Sequence, residues 1–303
     1  MNMLTRAAWL RLAAAAAALL AATAIQAQGK ADAEIDAAFE AAKQTAVQGP
    51  SDVKLADQAT LKVPEGFVYV PPAEGERIMT AMGNRVGAGL LGLVFPGEDP
   101  NANWFVVMSY VDSGYIRDDE AKDWDADELL TNLKTGTDEA NKDRRTRGIA
   151  EMEVLGWVEA PRYDAATHRL VWSAATKDKS EPGASPLGVN YNTYALGRHG
   201  YVSLNLVTDY ASIARDKPLA HRLLDALEFN AGRRYADFDS STDRVAEYGL
   251  AALVGGFAAK KLGLLATLGV LLAKFWKVVA LAGVGLVAGL GKLLARKKAG
   301  ADL

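Results

Sequence analysis

The sequence predicts an α+β fold, a mainly antiparallel sheet with helices packed against it, set between an N-terminal signal peptide and a C-terminal transmembrane helix region. Three observations carry that expectation. Short apolar or alternating runs recur between turn residues, as half-buried strands do. Two pairs of them are separated by connections short enough to force antiparallel pairing. Between and after them lie segments whose apolar residues return at helical spacing.

The first helix is expected over Asp32 to Val47, where Ile35, Phe39 and the alanines form a thin apolar stripe and Gly49-Pro50 stops it. So weak a stripe suggests a peripheral arm or a partner contact. Strand signals begin at Ala59, with Thr60 to Val63 and then Phe67 to Val70, closed by Pro71-Pro72. A short helix over Glu74 to Met82 follows, with Ile78, Met79 and Met82 on one face and Gly83-Asn84 ending it. Leu91 to Phe95 and Trp104 to Tyr110 are the next strands, joined by the turn residues Pro96 to Pro100.

The clearest helix runs from Ala126 to about Arg145. Asp125 is placed to cap it, Asp127 and Glu128 complement its positive end, and Arg144, Arg145 and Arg147 its negative end. Leu129, Leu130 and Leu133 lie near its start, so its second half is expected to be solvated. Two hairpins come next: Met152 to Pro161 with His168 to Ala175, and Tyr191 to Leu196 with Tyr201 to Val207 across Gly197-Arg198-His199-Gly200. A last helix, Ile213 to Leu227, turns Leu219, Leu223, Leu224 and Leu227 toward the sheet.

The two ends read as membrane signals. Arg6 and Arg11 precede an Ala/Leu run over Leu12 to Ala22 that is too short to span a bilayer, and Ala24 and Ala27 offer cleavage sites, so residues 1–27 read as a signal peptide. Residues 28–244 then form one exported periplasmic domain, and 245–303 a C-terminal membrane anchor. A hydrocarbon core about 30 Å thick needs roughly 20 apolar residues, which Phe275 to Leu294 supply. Arg296, Lys297 and Lys298 follow as a cytoplasmic stop signal. The expected setting is a bacterial inner membrane, with the lipid bilayer as partner. Lys274, Lys277 and Arg296 fall on one helical face, and Gly285 and Gly289 make a small-xxx-small pair; both features suit self-association or contact with other membrane proteins.

Charge and composition exclude several classes. The segment Gln28 to Arg244 carries 24 Lys/Arg against 35 Asp/Glu, a net of −11, which argues against nucleic acid as a partner. Cysteine is absent, so disulfides, thiolate nucleophiles and Cys-ligated metals are ruled out. His168, His199 and His221 show no metal-ligand spacing. Asp123 to Asp127 and Asp237 to Asp243 imitate a calcium loop, but Glu128 and Thr242 stand where its glycine is required, and Lys134 and Tyr248 where its bidentate carboxylate is required. Gly83, Gly87, Gly89 and Gly92 lack the Lys-Ser or Lys-Thr of a phosphate loop. Neither a catalytic constellation nor a cofactor or metal site is expected.

Five stretches together resemble a known family: Ala59 to Gly83, Asn103 to Val107, Lys122 to Leu130, Asn190 to Leu206 (NYNTYALGRHGYVSLNL) and Arg234 to Gly256 (RYADFDSSTDRVAEYGLAALVGG). They resemble domain-of-unknown-function family 2167, an uncharacterised bacterial family of predicted membrane-anchored proteins. The resemblance implies a membrane anchor and an envelope location, and it brings no activity. The expected function is that of a membrane-anchored binding, scaffold or accessory protein. The alternative is a periplasmic hydrolase or carbohydrate-binding enzyme using edge carboxylates such as Asp209 or Glu151. A third reading is a stress factor acting through the amphipathic tail.

Overall fold

The computed structural model describes residues 32–84, 86–97, 102–146, 148, 150–179 and 188–255. The signal peptide and the tail residues Lys274, Lys277, Gly285, Gly289, Arg296, Lys297 and Lys298 lie outside them. Among the described residues no helix is long and apolar enough to cross a membrane.

The fold is α+β, as expected. An antiparallel eight-stranded sheet runs in the order β1 (Val47–Gln48), β4 (Phe67–Val70), β5 (Leu90–Pro96), β6 (Phe105–Val111), β10 (Tyr201–Asp209), β9 (Gly188–Leu196), β8 (Arg169–Asp178), β7 (Met152–Asp164). A three-stranded sheet joins β11 (Leu227–Phe229), β3 (Ala59–Val63) and β2 (Ser51–Leu55). Both expected hairpins form, with Asp164 opposite Arg169 and Leu196 opposite Tyr201.

Alternation along the strands sends side chains to two faces. Face A carries Val106, Met108, Val202, Leu204, Leu206, Val189 and Tyr191. They share one core with Leu61 and Val63 of the small sheet and with Ile213, Leu223 and Leu224 of helix α4 (Ile213–Asp225). Face B has two separate covers. Helix α1 (residues 32–42) and α2 (Pro72–Ala81) pack on Val70, Leu93, Phe95, Phe105 and Val207. At the other end Leu129 of α3 (Ala126–Thr146) and the segment leading into α5 (Ala252–Gly255) pack on Leu170, Trp172, Ala174 and Tyr194.

Several expectations are corrected. Helix α1 stops at residue 42, because Val47 pairs with Tyr69 as a strand. It is no peripheral arm: Ile35, Ala38, Phe39 and Ala42 are all buried, and Phe39 meets Phe95 edge-on at 5.5 Å. Its thin stripe suffices because small alanines let the helix sit close to the sheet. Strand β2 (Ser51–Leu55) forms where the sequence pattern predicts none, since Asp52 and Lys54 dilute its apolar alternation. The last helix ends at Asp225, and Leu227 opposite Leu61 begins a strand instead. The second half of α3 is not solvated throughout. Asn141 is buried there, donating to the Met152 carbonyl at 2.7 Å and accepting from its N–H at 2.9 Å, so the helix docks on β7 through polar atoms.

Packing also continues past residue 244. Tyr115 bridges Val245, and Leu250, Leu253 and Val254 are buried with Tyr194, Tyr201 and Tyr235. The body thus takes in residues 245–255.

Candidate functional site

Face B is apolar at its two ends and polar in the middle. The strand registers place Val107, Asn205, Asn192 and Trp172 in one row across β6, β10, β9 and β8. The row beside it holds Phe105, Val207, Asn190 and Ala174, and the one on the other side Ser109, Ser203, Tyr194 and Leu170. Asn190, Asn192, Ser203, Asn205 and Ser109 therefore form a contiguous polar floor between the α1/α2 cover and the α3/α5 cover. Asn192 is buried, whereas Val107, Ser109, Asn190, Ser203 and Asn205 are half-buried although they lie on the central strands.

Part of this floor is bonded internally. Asn192 Nδ2 donates to the Asn190 carbonyl at 3.1 Å, and Ser203 Oγ to the Ser109 carbonyl at 3.5 Å. The side-chain oxygens Asn190 Oδ1 and Asn205 Oδ1 are shielded from solvent and have no hydrogen-bond partner. Buried acceptors are almost always paired, and leaving one unmet costs about 1–3 kcal/mol. Two on one patch of one sheet face mark a place suited to receiving donors from outside the chain.

On face A the same strands carry a network that is closed. Bulges in β7 bring Glu159 opposite Ser173, which lies opposite Tyr191, and α4 lays Lys217 and His221, four residues apart, over that row. Tyr191 Oη donates to Glu159 Oε2 at 2.9 Å and lies 2.9 Å from His221 Nε2. Lys217 pairs with Glu159, and Arg162 stands 3.6 Å away. Burial opposes ionisation of Glu159, but hydrogen bonds from Lys217 and Tyr191 outweigh it and hold its pKa below the ordinary value. Burial pushes His221 down, only partly offset by Glu159, and pushes Tyr191 up. At neutral pH the network is a carboxylate, a neutral imidazole and a phenol, each matched. Tyr191 holds its proton too firmly to serve as a base or nucleophile.

The other two histidines are also engaged. His168, at φ 53°, stacks on Tyr235 with ring centres 4.0 Å apart, and its Nδ1 is 3.2 Å from Tyr163 Oη and 3.4 Å from Asp118. His199 Nδ1 accepts from Arg233 at 3.1 Å, which leaves Nε2 to face Asp243 at 3.4 Å. Arg198 grips Asp243 with two bonds of 2.6 and 3.0 Å and holds that carboxyl well below the usual range.

The sequence candidates fall elsewhere. Asp209 accepts from the Ser212 N–H at 2.8 Å in the turn into α4, and Glu151 pairs with Arg145 at 2.8 Å; each has a local partner. Asp125 caps α3, accepting from the N–H groups of Asp127 and Glu128. In the second calcium-like run, Asp237 accepts from the Arg234 N–H and Asp239 from Ser241. Among the described residues no group of three or more ligating side chains could hold a metal ion. The glycine-rich stretch serves close approach: at Gly92, φ 135°, a Cβ would lie 2.6 Å from the Tyr69 ring and from the Val70 carbonyl.

The floor was missed, although N-x-N at Asn190/Asn192 and S-x-N at Ser203/Asn205 both carry its signal. Period-two polar residues normally mean a solvent face. Here they lie in the middle of a sheet covered at both ends.

A family model described as "Protein of unknown function (DUF2167)" matches residues 47–285. The chain belongs to this family. In this DUF2167 member two of the stretches that carry the resemblance meet in space. Arg198 reaches Asp243, Gly197 bridges Arg234, and Tyr194 Oη donates to the Leu253 carbonyl at 3.4 Å. The same Asn190–Leu206 stretch supplies most of the floor. No curated protein matches the chain. Among solved structures it is similar to cyanobacterial PsbP (CyanoP) from Synechocystis sp. PCC 6803, at 11% identity, covering 61% of this chain and 91% of that one, with a TM-score of 0.33. It is similar also to the Ran-binding protein Mog1p of Saccharomyces cerevisiae, at 11% identity, covering 62% and 98%, with a TM-score of 0.34. At that level of superposition neither likeness bears on ligand or partner.

Proposed function

We propose that this DUF2167 member is a tethered binding protein of the bacterial cell envelope, with its folded body in the periplasm and its C-terminal tail in the inner membrane. The body works by holding a ligand on the polar floor of face B. The observation that carries the reading is the pair of shielded, unpartnered oxygens Asn190 Oδ1 and Asn205 Oδ1 between two helical covers. The floor side chains are amides and hydroxyls, suited to binding and poor as acids, bases or nucleophiles, so binding is favoured over bond-making chemistry. The tether rests on the sequence: the apolar segment Phe275 to Leu294 and the cations Arg296, Lys297 and Lys298. Lys274, Lys277, Gly285 and Gly289 are proposed as its face toward other membrane proteins or a second copy.

A photoreactive residue in place of Ser109 tests the site in intact cells. The expected result is a crosslinked adduct in the membrane fraction that disappears when Asn205→Leu is added. An adduct unchanged by Asn205→Leu, or none at equal expression, overturns the floor as the working surface.

A further inference from the structure

We infer that the ligand of the face B floor is a neutral saccharide. The inference rests on the reading of that floor as a ligand site and names the chemistry that fits it. The floor presents Val107, Ser109, Asn190, Asn192, Ser203 and Asn205, none of them ionisable, and the titrating group in its three rows is the phenol of Tyr194, which burial keeps neutral. An anionic ligand would be desolvated there without a cation to meet it, at a cost of several kcal/mol. The net charge of −11 over Gln28 to Arg244 disfavours it further. A cationic ligand would lack a carboxylate among these side chains.

The unmet oxygens require donors, and the unmet indole N–H of Trp172 in the central row requires an acceptor; a hydroxyl can serve as either. Asn190 Oδ1 and Asn205 Oδ1 are acceptors, and they sit beside Asn192, whose amide already donates to the Asn190 carbonyl. A side-chain amide presents an acceptor and a donor side by side, and two adjacent hydroxyls of a sugar ring can answer both at once. A peptide strand is poorly placed to do so. It binds a sheet through backbone bonds at an edge, and β10 and β9 lie at the centre, already paired on both sides. Half-buried Val107, at one end of the central row, suits the apolar side of a sugar ring, while Trp172 at the other end is buried at the edge of the α3/α5 cover.

The test uses the full chain in a sugar-free detergent, titrated with chitotriose and maltotriose as neutral probes and with trigalacturonate as the anionic control. Binding is read by saturation-transfer NMR and calorimetry. At least one neutral trisaccharide is expected to bind and the anion is not. Asn190→Leu and Asn205→Leu should each weaken binding about tenfold, the loss of roughly one hydrogen bond, with stability close to that of wild type or above it. Tyr191→Phe, on the opposite face of the same strand, should leave affinity unchanged at a temperature where it is folded.

Absence of binding by both neutral probes overturns the inference, as does equal or tighter binding of trigalacturonate, or affinity indifferent to both asparagine variants. If saccharides fail while the Ser109 crosslink still depends on Asn205, the ligand class alone is wrong. If both fail, the floor holds only internal water and the proposed function falls with the inference.

Discussion

Tyr191 and its two neighbours on β9 show what the two faces of one sheet are built for. Tyr191 points to face A, where its hydroxyl meets Glu159 and His221, and Lys217 completes the network. Asn190 and Asn192 point to face B, where Asn190 Oδ1 meets nothing, and neither does Asn205 Oδ1 across the ladder. A closed network fastens α4 and the bent end of β7 to the sheet, and its energy goes into the fold. An open one is a cost to the fold, which the molecule has reason to carry only if something else answers it. The lesson is that polar residues in a sheet interior must be sorted by satisfaction before any is called functional.

The sharpest way to break this contrast is to strip one wall from face B while leaving face A intact. A chain ending at Arg244 loses Tyr248, Leu250, Leu253 and Val254, the last three buried against the sheet. Each fully buried aliphatic is worth about 1.5–3 kcal/mol, so it should be roughly 5 kcal/mol less stable than a chain ending at Gly255. Urea unfolding of the two chains checks this. Equal midpoints would show that residues 245–255 contribute little to the body.

Tyr191→Phe should cost about 1–3 kcal/mol, since it leaves Glu159 and His221 short of a buried partner. Thermal and urea unfolding should agree on the loss. A value near zero would mean that water replaces the hydroxyl and that the face A network is no fastening.

Acidification separates the faces further. His221 is depressed, so its neutral form favours folding; that contribution is whole above the free imidazole value near 6.5 and declines as pH falls below it. Glu159 is depressed too. Its contribution is present above the ordinary carboxylate pKa and is lost as pH falls through the lowered folded value. His221→Phe should flatten the first decline, measured as urea midpoint against pH. Ligand capture by the floor should stay level over the same range, because the titrating group in its central rows, Tyr194, is pushed up by burial and stays protonated throughout.

The smallest effect is expected from Asn205→Leu. Replacing an unanswered amide by an apolar group of similar size should leave stability within about 1 kcal/mol of wild type, or raise it. A loss of several kcal/mol by calorimetry would show that Asn205 is a structural residue and that face B is as closed as face A.

The sequence by itself determined the α+β class, both late hairpins, the capped helix from Ala126 and the family. The fold features are written locally, in period, in turn residues and in caps, and the family in several stretches taken together. Only the tertiary structure decided that Ile35 and Phe39 are core, that Leu227 leaves its helix for a strand, and that Asn190, Asn192 and Asn205 share a floor while Tyr191, between the first two, does not. Those outcomes depend on which strands become neighbours and what covers each face. Pairing over long stretches of chain fixes this, and no window of adjacent residues contains it.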